Sequence, residues 1–372
     1  MKSRFLKVDW LLVFFLIPVL SAGLVTMKSF TSVTPYFSHQ FVFIGISFLI
    51  FFIFSCVDFR FLRRTDVIVA IFLLFISLLI LVLFAGHTSN GATSWFSFGS
   101  FSFQPSDMMK LVLILVLAKY FSRRHVEIRN IKHIFISALY ALVPFLLVFF
   151  QPDFGSAMII FFIWFGMTLV SGISKKHLLI VIGFGCVVLG LFWMFVFAPY
   201  QKARIVNFVN PLSDVRGSGY NVYQSTIAVG SGQIFGKGVG FGTQSRLKFL
   251  PEYQTDFVFA AFAEEWGFAG VLLLFILLGL ILWRILHSAM LGATNFEILF
   301  GVGLAIYMAS HMIINIGMNI GLMPVTGITM PFMSYGGSHL ITEFMGLGIL
   351  MGMRGYSRVA HRDDMRNEFL GI

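Results

Sequence analysis

Residues 67–86, VIVAIFLLFISLLILVLFAG, are twenty consecutive residues without a charged side chain. A helix that crosses the hydrocarbon core of a membrane needs about 20 mostly apolar residues. The apolar side chains run continuously and do not alternate with polar ones, which excludes a strand of a membrane barrel. The run therefore predicts a membrane-spanning helix, and the fold depends on how often such runs recur.

Nine other apolar runs of similar length occur along the chain. They are residues 10–27, 39–57, 106–122, 133–150, 155–172, 177–198, 258–284, 296–318 and 337–353. The predicted fold class is an all-α membrane protein, a polytopic bundle of ten transmembrane helices. A long extracytoplasmic loop, about 199–256, is expected between helices 7 and 8. We expect residues 1–372 to form a single transmembrane domain.

The composition of the 372-residue chain supports a membrane protein. The chain is 58% hydrophobic and 11% charged, whereas about 25% of the residues in soluble domains are charged. Its 47 phenylalanines exclude a disordered chain. The first run, preceded by Lys2, Arg4 and Lys7, also resembles a cleaved signal peptide. An uncleaved first span fits the distribution of the other basic residues better.

The lysines and arginines predict the orientation of the chain in the membrane. With a cytoplasmic amino terminus, 18 of the 26 basic residues fall on the cytoplasmic side, and Lys28 alone lies in a short outer connection. This distribution agrees with the positive-inside rule. The net charge of +10 is then explained by orientation, and nucleic-acid binding is not expected. We expect both termini in the cytoplasm.

Glycines recur within the long outer loop, six of them between Gly230 and Gly242. Glycine lets a backbone turn tightly or approach a ligand closely. A flexible linker is the alternative interpretation. The interleaved polar residues, such as Gln233 and Lys237, favour a segment with its own chemistry.

The segment LPEYQTDF, residues 250–257, places Asp256 at the outer start of a spanning helix. Two interpretations remain open for this carboxylate. In the first, Asp256 only complements the dipole of the helix that follows Thr255. In the second, it is a partly desolvated general base at the membrane surface.

The segment PVTGITMPFMSYGGS, residues 324–338, is irregular and lies between the last two predicted spans. Irregular backbone at membrane depth is tolerated only where it is buried in protein or lines a cavity. Backbone N–H groups around Gly336 and Gly337 are candidates to bind an anion at the start of the last helix. Nearer the start of the chain, Lys110 lies one turn after Asp107, and an ion pair within the helix is its simplest role.

Five motifs in order give the chain its resemblance to a known family. They are FQPSDMMK at 103–110, QPDFGSA at 151–157, GYNVYQS at 219–225, LPEYQTDF at 250–257 and PVTGITMPFMSYGGS at 324–338. With these motifs the chain resembles, nearly end to end, the SEDS family of peptidoglycan polymerases, and within it the elongation branch more than the division branch.

The resemblance implies polymerisation of lipid II at the outer face of the bacterial cytoplasmic membrane, with release of undecaprenyl pyrophosphate. It implies that Asp256 is the essential catalytic residue. The residues expected to contact the lipid II head group or its pyrophosphate are Lys110, Asp153, Arg204, Lys248, Glu252, Thr255, Ser334, Tyr335, Gly336, Gly337 and Ser338.

The resemblance also implies a cofactor and a partner. A divalent cation, Mg²⁺ or Mn²⁺, is expected near Asp153, Glu252 and Asp256. A class B penicillin-binding protein, which is a transpeptidase, is the expected protein partner, and the growing glycan strand is bound together with lipid II.

Three positions depart from the family pattern. Gln254 stands where a histidine is frequent, Asp107 where a glutamate is usual, and His339 where a serine is common. Two functions of other classes remain as alternatives to the polymerase. One is a flippase or transporter of the lipid-linked precursor, with Lys110, Asp153 and Glu343 in a polar path. The other is a scaffold for partner proteins.

Overall fold

The structure is a computed structural model. It describes residues 8–29, 36–89, 92–98, 101–123, 131–195, 197, 199–209, 218–247, 249–250 and 252–370. Thirteen α-helices lie in this described part of the chain. They are α1 (Trp10–Ser29), α2 (Tyr36–Cys56), α3 (Thr65–Ala85), α4 (Pro105–Ser122), α5 (Ile131–Phe150), α6 (Phe154–Val170), α7 (Lys175–Phe195), α8 (Pro199–Val209), α9 (Ser218–Ser231), α10 (Thr243–Arg246), α11 (Val258–Met290), α12 (Asn295–Asn319) and α13 (Gly337–Leu370).

Each of the ten predicted spans coincides with one of these helices, so the predicted helical membrane fold is confirmed. Seven of them, α1, α2, α3, α5, α7, α11 and α12, are long and apolar enough to cross a membrane. Of the other three, α6 is apolar but has only 17 residues, and α4 carries three charged side chains, Asp107, Lys110 and Lys119. The last, α13, has 34 residues and extends well beyond its predicted span, 337–353.

A small antiparallel sheet between α3 and α4 is the element that the sequence did not predict. Its strands are β1 (His87–Ser89), β2 (Ala92–Phe98) and β3 (Phe101–Phe103), in the order β1-β2-β3. In the second pair, Phe96 lies opposite Phe103. The sheet lies in a connection between two spans, so the bundle itself remains helical.

The predicted long loop, 199–256, contains three short helices, α8, α9 and α10. The turn that contains Asp256 ends this region directly before α11. The described part of the loop is therefore folded and not an extended linker.

Close approach between helices is made possible by glycine on the last helix. A Cβ atom added to Gly348 would lie 2.9 Å from the carbonyl oxygen of Phe51 on α2. One added to Gly352 would lie 2.8 Å from the ring of Phe59. Small residues let membrane helices pack closely in this way. At the start of α13, beside the candidate site, Gly337 packs closely on the ring of Phe43 of α2 in the same way.

Buried charges join three helices at the end of the bundle opposite Asp256. The Oδ2 atom of Asp9 lies 2.5 Å from Arg284 Nη2 and 2.9 Å from Arg354 Nη1. Ser288 donates a further hydrogen bond of 3.2 Å to the same oxygen. This cluster, called the Asp9 cluster below, ties the segment before α1 to α11 and α13.

Helix α7 differs from the other spans because none of its described residues is buried. Its aromatic contacts are confined to one end, where the ring of Phe192 lies 5.7 Å from that of Phe149, between centroids. At the same end, Trp193 packs edge-on against Phe197 at 6.4 Å. Val181 packs half-buried against the core, and most of the other side chains of α7 are exposed.

Candidate functional site

Asp256 lies in a tight turn, residues 252–257, that directly precedes α11. Two asparagines near the end of α12 bind the backbone of this turn. Asn315 and Asn319 each donate an Nδ2 hydrogen bond to the carbonyl oxygen of Asp256, at 2.9 and 3.0 Å. Asn319 also accepts a hydrogen bond of 3.1 Å from the N–H of Ala260. The turn is therefore held by α12 through backbone atoms, and the Asp256 side chain is left for chemistry.

The segment before α13 holds the same turn from another side. Ser334 donates a hydrogen bond of 2.6 Å to the carbonyl oxygen of Thr255. The next residue, Tyr335, donates its N–H to the carbonyl oxygen of Gln254 at 2.8 Å. Gln40 on α2 in turn donates to the Ser334 carbonyl oxygen at 3.1 Å. Two separate parts of the chain thus bind residues 254–256, and α2 supports one of them.

The carboxyl group of Asp256 faces the irregular segment 324–338. A Cβ atom added to Gly327 would lie 3.5 Å from Asp256 Oδ2. Gly327 has a φ of +73°, a conformation that favours glycine. The motif PVTG therefore passes over the carboxylate closely and without a side chain at its nearest point.

The electrostatic environment of Asp256 favours its neutral form. Burial raises the pKa of the Asp256 carboxyl to about 7, and the negative charge of Glu252 contributes to the rise. The positive charge of Arg204 on α8 opposes this rise in the pKa, and the charge of Asp153 adds to it. A carboxyl group with a pKa near the working pH is suited to general-base catalysis.

Asp153 has a structural role at the start of α6. Its Oδ1 atom accepts a hydrogen bond of 3.0 Å from the N–H of Ser156 and so caps the helix. Its Oδ2 atom accepts one of 2.9 Å from Gln104 Nε2. The N–H of Gln104 donates to Ser338 Oγ at 3.2 Å, which links α6 to the start of α13. Both carboxylate oxygens of Asp153 are thus bonded to protein.

The other residues predicted in this region have different surroundings. Glu252 is exposed, and Thr255 donates a 3.3 Å hydrogen bond to its carboxylate. Tyr335 packs edge-on against Tyr36, with ring centroids 5.0 Å apart. The N–H of Gly336 lies 3.4 Å from Gln40 Oε1.

Gly337 and Lys248 are the remaining predicted residues of this region. A Cβ atom added to Gly337 would lie 2.7 Å from the ring of Phe43, so close packing on α2 accounts for that glycine. Lys248 lies outside the described residues.

Lys110 belongs to a separate buried cluster. Its side chain is 1% exposed, and its Nζ atom lies 2.9 Å from Asp107 Oδ1, as the one-turn spacing predicts. In this structure the ammonium group is therefore paired inside the bundle and does not extend to the surface.

His339, the departure from the family's serine, lies in the same cluster. Its Nδ1 atom is 3.8 Å from Asp107 Oδ1, and its Nε2 atom is 3.0 Å from Glu343 Oε1. The other oxygen of Glu343 accepts a hydrogen bond of 3.1 Å from the N–H of Phe332. The cluster thus contacts the irregular segment that holds the Asp256 turn.

The residues that hold the turn were missed by the sequence analysis, Asn315 and Asn319 above all. Their signal was present in the sequence, because two asparagines four residues apart lie on one face of an otherwise apolar helix. Polar side chains are costly in a span and need partners there. Gln40, inside the apolar run of α2, carries the same signal.

The candidate cation ligands do not form a metal site by themselves. Among the described residues, no group of three or more His, Cys, Asp or Glu is arranged to hold a metal ion. A cation held by Asp153, Glu252 and Asp256 stays a prediction, and both oxygens of Asp153 already accept hydrogen bonds from protein groups.

Two curated relatives are similar to this chain over most of its length. Stage V sporulation protein E of Bacillus subtilis is 36% identical over 372 residues, which cover 96% of this chain and all of the relative. Peptidoglycan glycosyltransferase MrdB of Escherichia coli is 36% identical over 289 residues, which cover 78% of each chain.

Two solved structures share the fold. The first is a chain of a structure titled "Structural coordination of polymerization and crosslinking by a peptidoglycan synthase complex". It superimposes on this chain with a TM-score of 0.80 and 31% sequence identity, and the match covers 94% of this chain and 98% of that one. Rod shape determining protein RodA of Thermus thermophilus has a TM-score of 0.70 and 31% identity, covering 93% and 96%. A family model for FtsW, RodA and SpoVE, described as "Cell cycle protein", matches residues 2–359. The chain belongs to this family, the SEDS family of multi-pass membrane proteins.

Proposed function

We propose that this chain is a peptidoglycan glycosyltransferase that polymerises lipid II, with Asp256 as its general base. The observation that carries the assignment is a carboxyl group whose pKa is raised to about 7 and whose turn is fixed by Asn315, Asn319 and Ser334. Family membership supplies the reaction class, because relatives of this chain are peptidoglycan glycosyltransferases.

The reaction places one proton on Asp256. The ionised carboxylate accepts the proton of the acceptor 4-hydroxyl of N-acetylglucosamine, and the oxygen attacks C1 of the donor sugar. The bond between C1 and the phosphate oxygen breaks, and undecaprenyl pyrophosphate leaves. The leaving group gains negative charge, which nearby positive charge stabilises. Arg204 is the candidate for this role because its charge already acts on Asp256.

The test is polymerisation of purified lipid II by the wild-type protein and by an Asp256→Asn variant. Asparagine has nearly the same shape, and the bonds from α12 reach the backbone of residue 256, so the turn is expected to persist. We expect a loss of activity of about 10²-fold to 10⁴-fold, the usual contribution of a general base.

The matched control is Glu252→Gln, which removes the other acid of the same turn. We expect this variant to keep most of its activity, because Glu252 is exposed and its carboxylate accepts a hydrogen bond from Thr255 alone among the described residues. Polymerisation at the wild-type rate by Asp256→Asn would overturn the assignment of the base.

We also propose that the chain acts in cell elongation. The similarity to Rod shape determining protein RodA supports this role. Stage V sporulation protein E is similar as well, so the experiment compares roles directly. The gene is expressed in three bacterial strains, each depleted of its own SEDS protein for elongation, for division or for sporulation. Rescue of rod shape alone is the expected result, and rescue of division or sporulation alone contradicts it.

A transpeptidase of the class B penicillin-binding protein type is the proposed partner. Support comes from the related chain whose structure is described as a peptidoglycan synthase complex with polymerization and crosslinking. Co-purification of the two proteins from membranes, with a transpeptidase that lacks its membrane helix as control, tests the pairing. Failure to co-purify under conditions that retain lipid contradicts it.

A cytoplasmic location of both termini is proposed from the basic residues. Single cysteines placed next to Arg60 and next to Lys28 are expected to react with an impermeant thiol reagent from opposite sides of the membrane. Reaction of both from the same side overturns the topology.

The flippase remains the alternative function because a buried charge cluster exists within the bundle. Lys110, Asp107, His339 and Glu343 form it, and intramembrane charges often mark transport paths. Translocation of labelled lipid II in vesicles that contain the Asp256→Asn variant distinguishes the two functions. If the Asp256→Asn variant translocates lipid II at the wild-type rate but does not polymerise it, the result supports a flippase. If neither the wild-type protein nor the variant translocates lipid II and the variant only loses polymerisation, the result supports the glycosyltransferase.

A further inference from the structure

Residues 232–242, called the glycine segment below, connect α9 to α10. Four of their apolar side chains are exposed, Ile234 by 61%, Phe235 by 84%, Val239 by 45% and Phe241 by 67%. A group of exposed apolar side chains marks a surface that meets either another protein or a membrane. The position and the hydrogen bonds of the segment decide between them.

The glycine segment lies at the outer end of the first spanning helix. A Cβ atom added to Gly240 would lie 3.7 Å from the carbonyl oxygen of Ser29, the last residue of α1. Helix α1 has 20 residues and is therefore about 30 Å long, the thickness of the hydrocarbon core. Gly240 thus lies at the outer boundary of that core, outer in the sense of the orientation proposed above.

The tip of the segment reaches deeper than Gly240. Gly240 donates its N–H to Glu265 Oε1 at 2.6 Å, whereas the carbonyl oxygen of Ile234 accepts from the N–H of Ala269 at 2.9 Å. Glu265 and Ala269 lie on either side of the bend of α11 at Gly267, and Ala269 begins the part of the helix that continues across the membrane. Ile234 and Phe235 therefore lie at the depth at which α11 presents its lipid-facing side chains.

That depth is marked by the exposed apolar side chains of α11 itself. Phe268 is 64% exposed and Leu272 is 49% exposed, and both belong to a helix that crosses the membrane. The N–H of Phe268 donates to the carbonyl oxygen of Gln233 at 2.8 Å. The apolar surface of the glycine segment is therefore continuous with a surface that already contacts lipid.

Part of the backbone of the segment is paired within the protein. The N–H groups of Lys237 and Gly238 donate to the carbonyl oxygens of Glu264 and Glu265, both at 3.0 Å. Those of Gly236 and Phe241 donate to carbonyl oxygens inside the segment, at 2.8 and 3.1 Å. The pairing of these N–H groups lowers the cost of placing this part of the backbone beside lipid.

The charge of the segment is neutralised as well. Lys237 Nζ lies 2.7 Å from Glu264 Oε1 and donates a 2.8 Å hydrogen bond to Thr243 Oγ1. The same glutamate, fully buried, accepts from the N–H of Gln244. The lysine therefore turns its charge inward, and the outward surface that remains is apolar.

From these observations we propose that the glycine segment is inserted in the outer leaflet, with Ile234, Phe235, Val239 and Phe241 in contact with lipid. The continuity with the exposed side chains of Phe268 and Leu272 on α11 favours lipid over a soluble protein domain as the contact. Burial of these side chains among acyl chains removes apolar area from water, which is favourable. The segment thus anchors the outer layer of the protein to the bilayer surface.

The experiment measures the depth of single spin labels in the full chain. The background carries Cys56→Ser and Cys186→Ser, which removes both native thiols. Phe235→Cys is the test position, Leu273→Cys on α11 is the lipid-facing control, and Arg246→Cys on α10 is the water-facing control. Each labelled protein is reconstituted alone into vesicles of phosphatidylethanolamine and phosphatidylglycerol.

Insertion predicts that the Phe235→Cys label is relaxed by oxygen, as at Leu273→Cys, and shielded from a nickel chelate. Before labelling, this thiol is expected to react with a charged, impermeant maleimide at least about tenfold more slowly than that of Arg246→Cys. Equal access of the chelate to residues 235 and 246 would overturn the proposal. Since no other protein is present in the vesicles, that result would assign the surface to a protein partner.

Discussion

Asp256 is held by its main chain. Asn315 and Asn319 bind its carbonyl oxygen, and no side chain is interposed between its carboxyl group and Gly327. The position of Asp256 therefore depends on its main-chain carbonyl oxygen, whereas its reactivity depends on its carboxyl group. The sequence analysis found the carboxylate, because an acid beside a cap residue is visible in the motif TDF. It did not find the asparagines, because their partner is 59 and 63 residues away along the chain.

The raised pKa of Asp256 predicts how activity depends on pH. The base accepts a proton only when it is ionised, and with a pKa of about 7 it is mostly protonated below that pH. We expect kcat/KM to rise with pH, to level off above pH 7, and to be roughly tenfold below the plateau at pH 6.

A second variant tests the cause of that profile. Glu252→Gln removes a negative charge that raises the pKa of Asp256, so the rising limb is expected to move to lower pH. Polymerisation assays from pH 5 to 9 with both proteins measure it. A profile that is flat down to pH 5 contradicts the role of Asp256 as the base.

Asn315 and Asn319, which both bind the Asp256 carbonyl oxygen, are called the amide clamp here. Weakening this clamp is expected to lower activity although the Asp256 carboxyl group stays in place. Asn319→Ala leaves the N–H of Ala260 and one bond of the Asp256 carbonyl unpaired, each an uncompensated buried polar group. We expect the free energy of unfolding to fall by about 1–3 kcal/mol and polymerisation to fall at least tenfold. Asn295→Ala, at the exposed start of α12, is the control and is expected to change neither. Full activity of Asn319→Ala argues against the clamp.

At the scale of elements, the helices were predictable and the departures from helix were not. Continuous apolar runs fixed all ten spans, because the cost of an unpaired backbone in lipid leaves helix as the remaining choice. The bend in α11 at Gly267 had no such signal. Its conformation, with φ 63° and ψ −168°, depends on contact with the glycine segment, which lies about thirty residues earlier.

The bend makes Gly267 intolerant of any side chain. A Cβ atom there would lie 2.2 Å from the N atom of Gly236 and 2.7 Å from the Ile234 carbonyl oxygen. We expect Gly267→Ala to lower the free energy of unfolding by about 3 kcal/mol or more, through strain and lost backbone pairing.

Gly279 on the same helix is the matched control for that change. No atom lies within 4 Å of a Cβ added there, so Gly279→Ala is expected to be neutral or stabilising by up to about 1 kcal/mol. Thermal unfolding of the detergent-solubilised variants measures both. Equal melting temperatures for the two variants contradict the role of the bend.

At the scale of the whole molecule, charge is found in three places: the Asp256 turn, the buried cluster of Lys110, and the Asp9 cluster. Asp153 and Glu252 act on the pKa of Asp256, whereas the Asp9 cluster holds the opposite end of the bundle together. The sequence predicted basic residues at that end from topology alone. It did not predict that Arg284 and Arg354 share one carboxylate, since Asp9 is 275 and 345 residues away from them.

The Asp9 cluster predicts a large loss of stability when its acid is neutralised. Asp9→Asn removes the carboxylate that Arg284 and Arg354 share, and the breaking of a buried ion pair typically costs about 3–5 kcal/mol. Asp66→Asn is the control, because its pair with Arg64 is exposed and an exposed pair contributes little. The melting temperature in detergent micelles is expected to fall for the first variant only. A similar fall for both variants contradicts this interpretation.

Helix α7 has a different relation to the rest of the chain. Because its described residues are all unburied and its aromatic contacts lie at one end, few positions along it have a neighbour whose shape they must match. Selection then acts mainly on the length and the hydrophobicity of this helix and hardly on the order of its residues. A variant with leucine at every lipid-facing position of α7 away from Phe192 and Trp193 is expected to support growth as well as the wild-type protein. Helix α7 is therefore the part of the chain where the sequence can change most with the least effect on function.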